Sequence, residues 1–170
     1  MKKIYLIIAV FFAANSVNSQ VIYTEEFNND LAGMAGAWTV ADVDGAPNNA
    51  TVATQFGLTS SWIVDPNFDD ATDSVAMSTS WMDPVTATND WLMSPAIMLT
   101  TNNILSWKEK AQDANYPDGY NLHICTSIAG TLPAPSDFTG GTGAQIYTTT
   151  AATNPWSNKS VDLAALGYTA

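Results

Sequence analysis

Short alternations of apolar and polar residues recur along this chain, separated by clusters of glycine, proline, asparagine and aspartate. In YNLHICTS the apolar residues Tyr120, Leu122 and Ile124 alternate with others, as Val161 and Leu163 do in KSVDL, which is the period of a strand with one buried face. Threonine, asparagine and aromatic residues are frequent, and no amphipathic helix is evident. The pattern predicts strands at residues 21–27, 37–43, 74–81, 90–99, 104–112, 120–127, 144–150 and 159–163.

The short length of these segments, and their separation by clusters of Gly, Pro, Asn and Asp, predict an all-β fold arranged as an antiparallel β-sandwich. Two long irregular stretches, residues 48–72 and 130–143, interrupt the series and are rich in Asn, Thr, Gly and Pro. Loops of this length serve as functional surfaces or are poorly ordered connections, and the sequence leaves both possibilities open.

The first residues predict export. MKK is a basic start, the apolar run that follows has signal-peptide length, and Val17-Asn18-Ser19 resembles a small-residue cleavage site. The run is short for a membrane span, although an uncleaved anchor remains the alternative. We therefore predict a signal peptide at 1–19, a single domain at 20–170 without a membrane span after cleavage, and a secreted or cell-surface location.

Negative charge dominates the chain, with sixteen acidic against five basic residues and a formal net charge of −11. Cleavage of the signal would remove Lys2 and Lys3 and leave 3 − 16 = −13. Nucleic acid and anionic membranes are poor partners for such a field, whereas metal cations are good ones. Cys125 is the single cysteine, so no intramolecular disulfide can form.

The segment ADVDGAP, residues 41–47, is a candidate cation-binding loop. Asp42 and Asp44 stand at i and i+2, so on extended backbone both carboxylates project to one side, and calcium takes six to eight oxygen ligands. The EF-hand pattern is excluded, because Pro47 stands where that loop needs glycine and Ala53 where it needs glutamate. The alternative is an ordinary turn. Any ion here needs ligands from distant segments.

Several blocks of the chain together resemble the cleaved-adhesin domain, also called choice-of-anchor J, of gingipain-type haemagglutinin regions. These blocks are TEEF (24–27), Trp38 followed by DVDG (42–45), NDWLMSPAIML (89–99), LSWKEKAQDANYPDGYNLHICTS (105–127) and WSNKSVDL (156–163). The resemblance implies a jelly-roll β-sandwich, related to MAM domains and carbohydrate-binding modules, with calcium bound for structure. It also implies a non-catalytic module of a secreted adhesin or protease.

The resemblance further assigns ligands and a boundary. Glu25 matches the family's glutamate before the first core phenylalanine, and Asp90 matches its aspartate before the aromatic residue of the DWL block. We therefore expect Glu25, Asp42, Asp44 and Asp90 to converge on one calcium ion, assisted by the carbonyl of Val43 or of a neighbour. In the family two closing strands follow the segment like WSNKSVDLAAL, so we expect this chain to be C-terminally incomplete and to belong with other domains of a larger secreted protein.

A second group of polar residues, Asp113, Asn115 and Asp118, lies in QDANYPDGY. Pro117-Asp118-Gly119 is first of all a β-turn signal. A loop closed by Asx-type hydrogen bonds is therefore favoured over a second cation site.

Catalysis is not expected. His123 and Cys125 share one face of a predicted strand, but a nucleophile beside its base on a flat sheet lacks the converging oxyanion donors of acyl transfer. A glycosidase needs two carboxyl groups across a cleft, and adjacent pairs such as Asp69-Asp70 face opposite sides of a strand. Pairs distant in sequence remain open.

Binding of a ligand is the expected role. Trp62, in the long loop segment TSSWIVDP, is the best candidate for an exposed binding aromatic, although burial at the edge of the fold is favoured because tryptophan is generally buried. We expect a non-catalytic, calcium-stabilised adhesion or ligand-binding module whose partner is an extracellular protein or a carbohydrate. A jelly-roll domain associated with a hydrolase and a structural spacer are the alternatives, because one sandwich fold hosts many functions.

Overall fold

The computed structural model describes residues 21–28, 38–59, 61–101 and 103–169. The predicted signal peptide lies outside these residues. The described part is mostly β-structure with two short helices, so the predicted all-β class is confirmed. The elements in chain order are β1 (Thr39–Asp42), α1 (Ala50–Phe56), β2 (Ile63–Pro66), β3 (Ser74–Met77), β4 (Asp90–Met93), β5 (Ile104–Glu109), β6 (Tyr120–Ile124), α2 (Pro135–Thr139), β7 (Ala144–Thr149) and β8 (Ser157–Asp162).

The strands pair in four antiparallel, two-stranded ladders, β1 with β4, β2 with β3, β5 with β8 and β6 with β7. The pairing is nested, because the chain completes the β2–β3 ladder between β1 and β4, and the β6–β7 ladder between β5 and β8. The outer ladder of each set therefore joins strands that are far apart in the sequence. A closed jelly roll remains a prediction from the resemblance.

The predicted strand at residues 21–27 is wrong. In the described part of the chain this segment joins no ladder. Phe27 has a positive φ of 51°, and its backbone N–H donates to the Glu25 carboxylate at 2.8 Å. The chain therefore turns at Glu25, and the Phe27 ring packs against Trp38 with ring centroids 5.3 Å apart.

The prediction of strand over residues 90–99 is too long, because β4 ends at Met93. Pro95 follows two residues later, and proline has no N–H to donate to a ladder. The apolar residues beyond it prolonged the hydrophobic pattern without prolonging the strand.

Regular structure also occurs in the two stretches predicted to be irregular. Helix α1 and strand β2 lie within residues 48–72, and α2 lies within 130–143. The Asn49 side chain accepts a hydrogen bond from the Thr51 N–H at 2.9 Å, and Gly57 ends α1 with a left-handed φ of 66°. Helices of seven and five residues are too short to show an amphipathic period, so the expectation of no helix is corrected here.

The segment around α1 packs on the segment that leads to β4. Leu58 is almost fully buried, and its carbonyl accepts from the Asn48 side chain at 2.8 Å. Asn49 donates its N–H to the Trp81 carbonyl at 2.8 Å, and Asn48 forms an isolated bridge with Met82. These contacts fix the chain that follows β1 against the chain that precedes β4.

A buried polar network connects the β5–β8 ladder to the β6–β7 ladder. Glu109 on β5 is only 7% exposed, and it accepts a hydrogen bond from the Tyr120 hydroxyl on β6. Trp107 donates its indole N–H to the same hydroxyl at 2.7 Å, and Lys159 on β8 forms an ion pair with Glu109 at 3.3 Å. Burial, followed by the hydrogen bond to Glu109, raises the pKa of Tyr120. The two ladders therefore meet around a buried carboxylate whose hydrogen bond and counter-charge both come from the protein.

Loss of the Tyr120 hydroxyl should destabilise this junction. We expect Tyr120→Phe to lower the free energy of unfolding by about 1–3 kcal/mol, because Glu109 then keeps a buried acceptor without its donor. Denaturant titration would measure the change. Tyr116→Phe is the control, since Tyr116 is 81% exposed. Equal stability of Tyr120→Phe and the unaltered protein would contradict the role of this network.

Candidate metal centre

The register of the β1–β4 ladder brings two of the predicted ligands face to face. Asp42 is the last residue of β1, Asp90 is the first of β4, and the two are directly paired across the ladder. Val43 extends the contact by donating its N–H to the Asn89 carbonyl at 3.1 Å. Asp44 follows in the turn, so one carboxylate oxygen from each of Asp42, Asp44 and Asp90 lies within 4.8 Å of the others. These three residues are called the acidic trio below.

Two members of the acidic trio also shape the turn after β1. Asp42 accepts from the Gly45 N–H at 2.7 Å, and Asp44 accepts from the Ala46 N–H at 2.8 Å and from the N–H of Asn89. Gly45 has a left-handed φ of 65°, which glycine adopts without strain. The turn and the cation site are therefore compatible, since carboxylates that bind metals are commonly held by hydrogen bonds of their own.

Asp90 is the member of the acidic trio whose negative charge is least well stabilised. Its Oδ2 is enclosed and has no hydrogen-bond partner among the described residues. Burial raises the pKa of Asp90 from its ordinary value of 3.8 to about 6, and repulsion from Asp44 and Asp42 adds to the effect. An enclosed carboxylate beside two others is costly unless a proton or a cation neutralises it. All the side-chain donors of the trio are hard oxygens, which suit calcium or magnesium.

Glu25 lies outside the acidic trio, although the resemblance placed it with the ligands. Its carboxylate accepts from the Trp38 indole N–H at 3.2 Å, from the Tyr23 hydroxyl at 3.3 Å and from the Phe27 N–H. These bonds hold the turn at residues 25–27 against Trp38. Of the four predicted ligands, the structure thus brings three together, whereas Glu25 accepts a hydrogen bond from the Trp38 indole instead.

The predicted binding aromatic, Trp62, is half-buried with its indole nitrogen enclosed. Its burial matches the alternative reading, in which a loop tryptophan packs at the edge of the fold. The exposed tryptophan is Trp81, with 53% of its surface accessible. Trp81 lay in a segment predicted as strand, and β3 ends at Met77, before reaching it.

The surroundings of His123 and Cys125 suit packed side chains better than catalytic groups. The His123 ring lies 5.2 Å from that of Trp91, and its Nδ1 is 3.4 Å from the Phe138 carbonyl oxygen. Burial, with repulsion from Asp137, raises the pKa of the Cys125 thiol. A nucleophilic cysteine needs the opposite shift, towards the thiolate.

The group at residues 113–118 forms the hydrogen-bonded loop that the turn signal favoured. Asp113 accepts from the Asn115 N–H at 2.8 Å, which is an Asx-type contact. Asp118 accepts from both the N–H and the hydroxyl of Ser80. Asp113 and Asp118 therefore hold loop segments in place by hydrogen bonds. Among the described residues they form no metal-binding group.

Comparisons of the chain with protein-family models, with curated proteins and with solved structures gave no match. The resemblance to the cleaved-adhesin domain therefore stays a prediction. In the part of the chain that the structure describes, neither helix has the length and apolar character that crossing a membrane requires.

The raised pKa of Asp90 predicts how metal-free protein responds to pH. The contribution of Asp90 to stability is fully present below its ordinary pKa of 3.8 and is lost as the pH rises through about 6, because the folded state holds the proton longer than the unfolded state. Asp90→Asn mimics the protonated acid and removes this loss. We expect the melting temperature of Asp90→Asn to rise relative to the unaltered protein across that interval.

Melting curves of metal-free protein at a series of pH values would check this prediction. Asp83→Asn, which alters an exposed aspartate, is the matched control and should follow the unaltered protein. A constant difference in melting temperature between Asp90→Asn and the unaltered protein at every pH would refute the proposed burial of the Asp90 charge.

Proposed function

We propose that this chain is a non-catalytic, calcium-stabilised binding module of an exported or cell-surface protein. One observation carries the metal assignment: the acidic trio converges at the end of the β1–β4 ladder, and the enclosed Oδ2 of Asp90 receives no hydrogen bond from the described residues. A cation supplies the missing counter-charge. The predicted signal peptide supports export, and the resemblance to adhesin modules supports binding.

Calcium suits the acidic trio better than the other common divalent ions. The group contains no histidine or cysteine, the ligands that structural zinc sites favour. Calcium accepts irregular shells of six to eight oxygens, whereas magnesium demands near-ideal octahedral geometry and keeps several waters. Asp42 and Asp44 are exposed, so water can complete the shell on their side. The ion would neutralise the trio and tie the turn at residues 43–45 to the start of β4.

Calcium should therefore raise the stability of the folded protein. At a hundredfold excess over its dissociation constant, a ligand that binds only the folded state stabilises it by about 2.7 kcal/mol. We expect a higher melting temperature in calcium than in chelator, and the difference should vanish in Asp42→Ala and persist in the control Asp83→Ala. Magnesium should give a smaller rise. Equal melting temperatures of the unaltered protein in calcium and in chelator would overturn the metal assignment.

Two exposed aromatic residues on segments linked by hydrogen bonds support a carbohydrate as the bound partner. Trp81 and Tyr116 are 53% and 81% exposed, and the two hydrogen bonds between Ser80 and Asp118 hold their segments together. Exposed aromatics with apolar faces and polar edges are typical of binding surfaces, and sugars offer both apolar ring faces and hydroxyl groups. The carboxylate of Asp118 and the amide of Asn115 are hydrogen-bonding groups in the same loop. We define Trp81, Tyr116 and Asp118 as the aromatic surface.

Substitution in the aromatic surface should weaken glycan binding. Against an array of immobilised glycans, we expect Trp81→Ala and Tyr116→Ala each to weaken binding about tenfold or more, as removal of an aromatic anchor does. Met98→Ala removes an exposed apolar side chain elsewhere and should bind like the unaltered protein. Glycan binding that survives both aromatic substitutions would exclude this surface, and absence of any glycan binding would favour a protein partner.

A further inference from the structure

A cavity of about 110 Å³ opens beside the acidic trio. Asp42 and Asp90 form part of its wall. The chain on either side of α1 provides further lining residues, including Asn48, Thr59 and Ser61. The volume is sufficient for a cation together with bound water. Its polar lining distinguishes it from the apolar voids that stay dry.

Ser61 is the unusual residue in this wall. It is only 4% exposed, and its hydroxyl oxygen is enclosed without a hydrogen-bond partner among the described residues. The backbone carbonyl of Ser61 accepts from the Ser78 hydroxyl at 2.5 Å, so the residue is held in position while its own side chain is not engaged. Buried hydroxyls without partners are rare in native proteins, because each forfeits its bond to water.

Asp90 and Ser61 thus line one cavity, and each has an enclosed side-chain oxygen without a hydrogen-bond partner among the described residues. The two oxygens form no hydrogen bond with each other. A cation between them would be a partner for both, since carboxylate and hydroxyl oxygens are hard ligands of the kind that calcium and magnesium bind.

We infer that the Ser61 hydroxyl is a further ligand of the cation bound by the acidic trio. This inference rests on the proposed calcium site and adds a donor from a third part of the chain. The ion then joins the β1 end, the β4 start and the segment between α1 and β2. Metal binding would consequently order residues around Ser61 as well as the turn after β1.

Calorimetric titration of the full chain with calcium chloride tests the inference. We expect Ser61→Ala to weaken calcium binding about tenfold, which is the lower end of the loss produced by removing even an outer-shell partner. In chelator the melting temperature of Ser61→Ala should equal or exceed that of the unaltered protein, because the substitution removes an unsatisfied buried hydroxyl. A purely structural role would instead lower the melting temperature in both conditions. Ser106→Ala, an exposed serine on β5, is the control.

A second measurement needs no substitution. In the unaltered protein, the Cβ resonance of Ser61 should shift on addition of calcium, while that of Ser106 stays in place. Calcium binding by the unaltered protein combined with undiminished affinity in Ser61→Ala, or with an unmoved Ser61 resonance, would overturn the inference and leave the acidic trio as the site. Absence of calcium binding by the unaltered protein would overturn the proposed site and this inference together.

Discussion

Repulsion among three carboxylates at the end of the β1–β4 ladder is the constraint around which this part of the molecule is organised. The antiparallel register pairs Asp42 with Asp90, and the turn stabilised by Asp42 and Asp44 returns a third carboxylate to the same place. Folding therefore concentrates negative charge that the unfolded chain keeps apart. Because Asp90 is partly buried, water cannot relieve this cost in full, and a proton or a bound cation would lower it.

Among the described residues, the carboxylates of Glu109 and Asp90 are enclosed in opposite surroundings. Glu109 receives the Tyr120 hydroxyl and the Lys159 ammonium, so its charge is matched by the chain itself. Asp90 faces two other acids, and its Oδ2 receives no hydrogen bond from the described residues. The bonds of Glu109 connect two ladders without any outside group. The charge of Asp90 would instead be offset by a proton or a cation from solution. A site that takes up a cation from outside the cell would agree with the export that the signal-peptide pattern predicts.

The proposed metal centre and the aromatic surface lie on adjoining parts of the chain. Asn49 donates to the Trp81 carbonyl, and Asp83 donates its N–H to the Pro47 carbonyl at 3.0 Å. The segment from Pro47 to Asn49 thus connects the wall of the cavity to the backbone that presents Trp81. An ion that orders the turn after β1 can in this way stabilise the presentation of an exposed aromatic without contacting the ligand.

Local sequence patterns located most of the strands and indicated the chemistry available. Alternating apolar residues located β5 to β8 closely, since period-two burial is a local property of each strand, and the DVDG segment identified two carboxylates of the proposed site. Asn49 and Gly57 also carried the cap signals of α1, which a seven-residue helix is too short to confirm by periodicity. The resemblance also named Asp90, but only pairing between distant strands brings Asp90 opposite Asp42. Contacts between distant segments also left Glu25 to the Trp38 indole and enclosed Trp62 while exposing Trp81. Ser61 carries no local signal, because a serine in a polar stretch becomes unusual only when folding buries its hydroxyl without a partner.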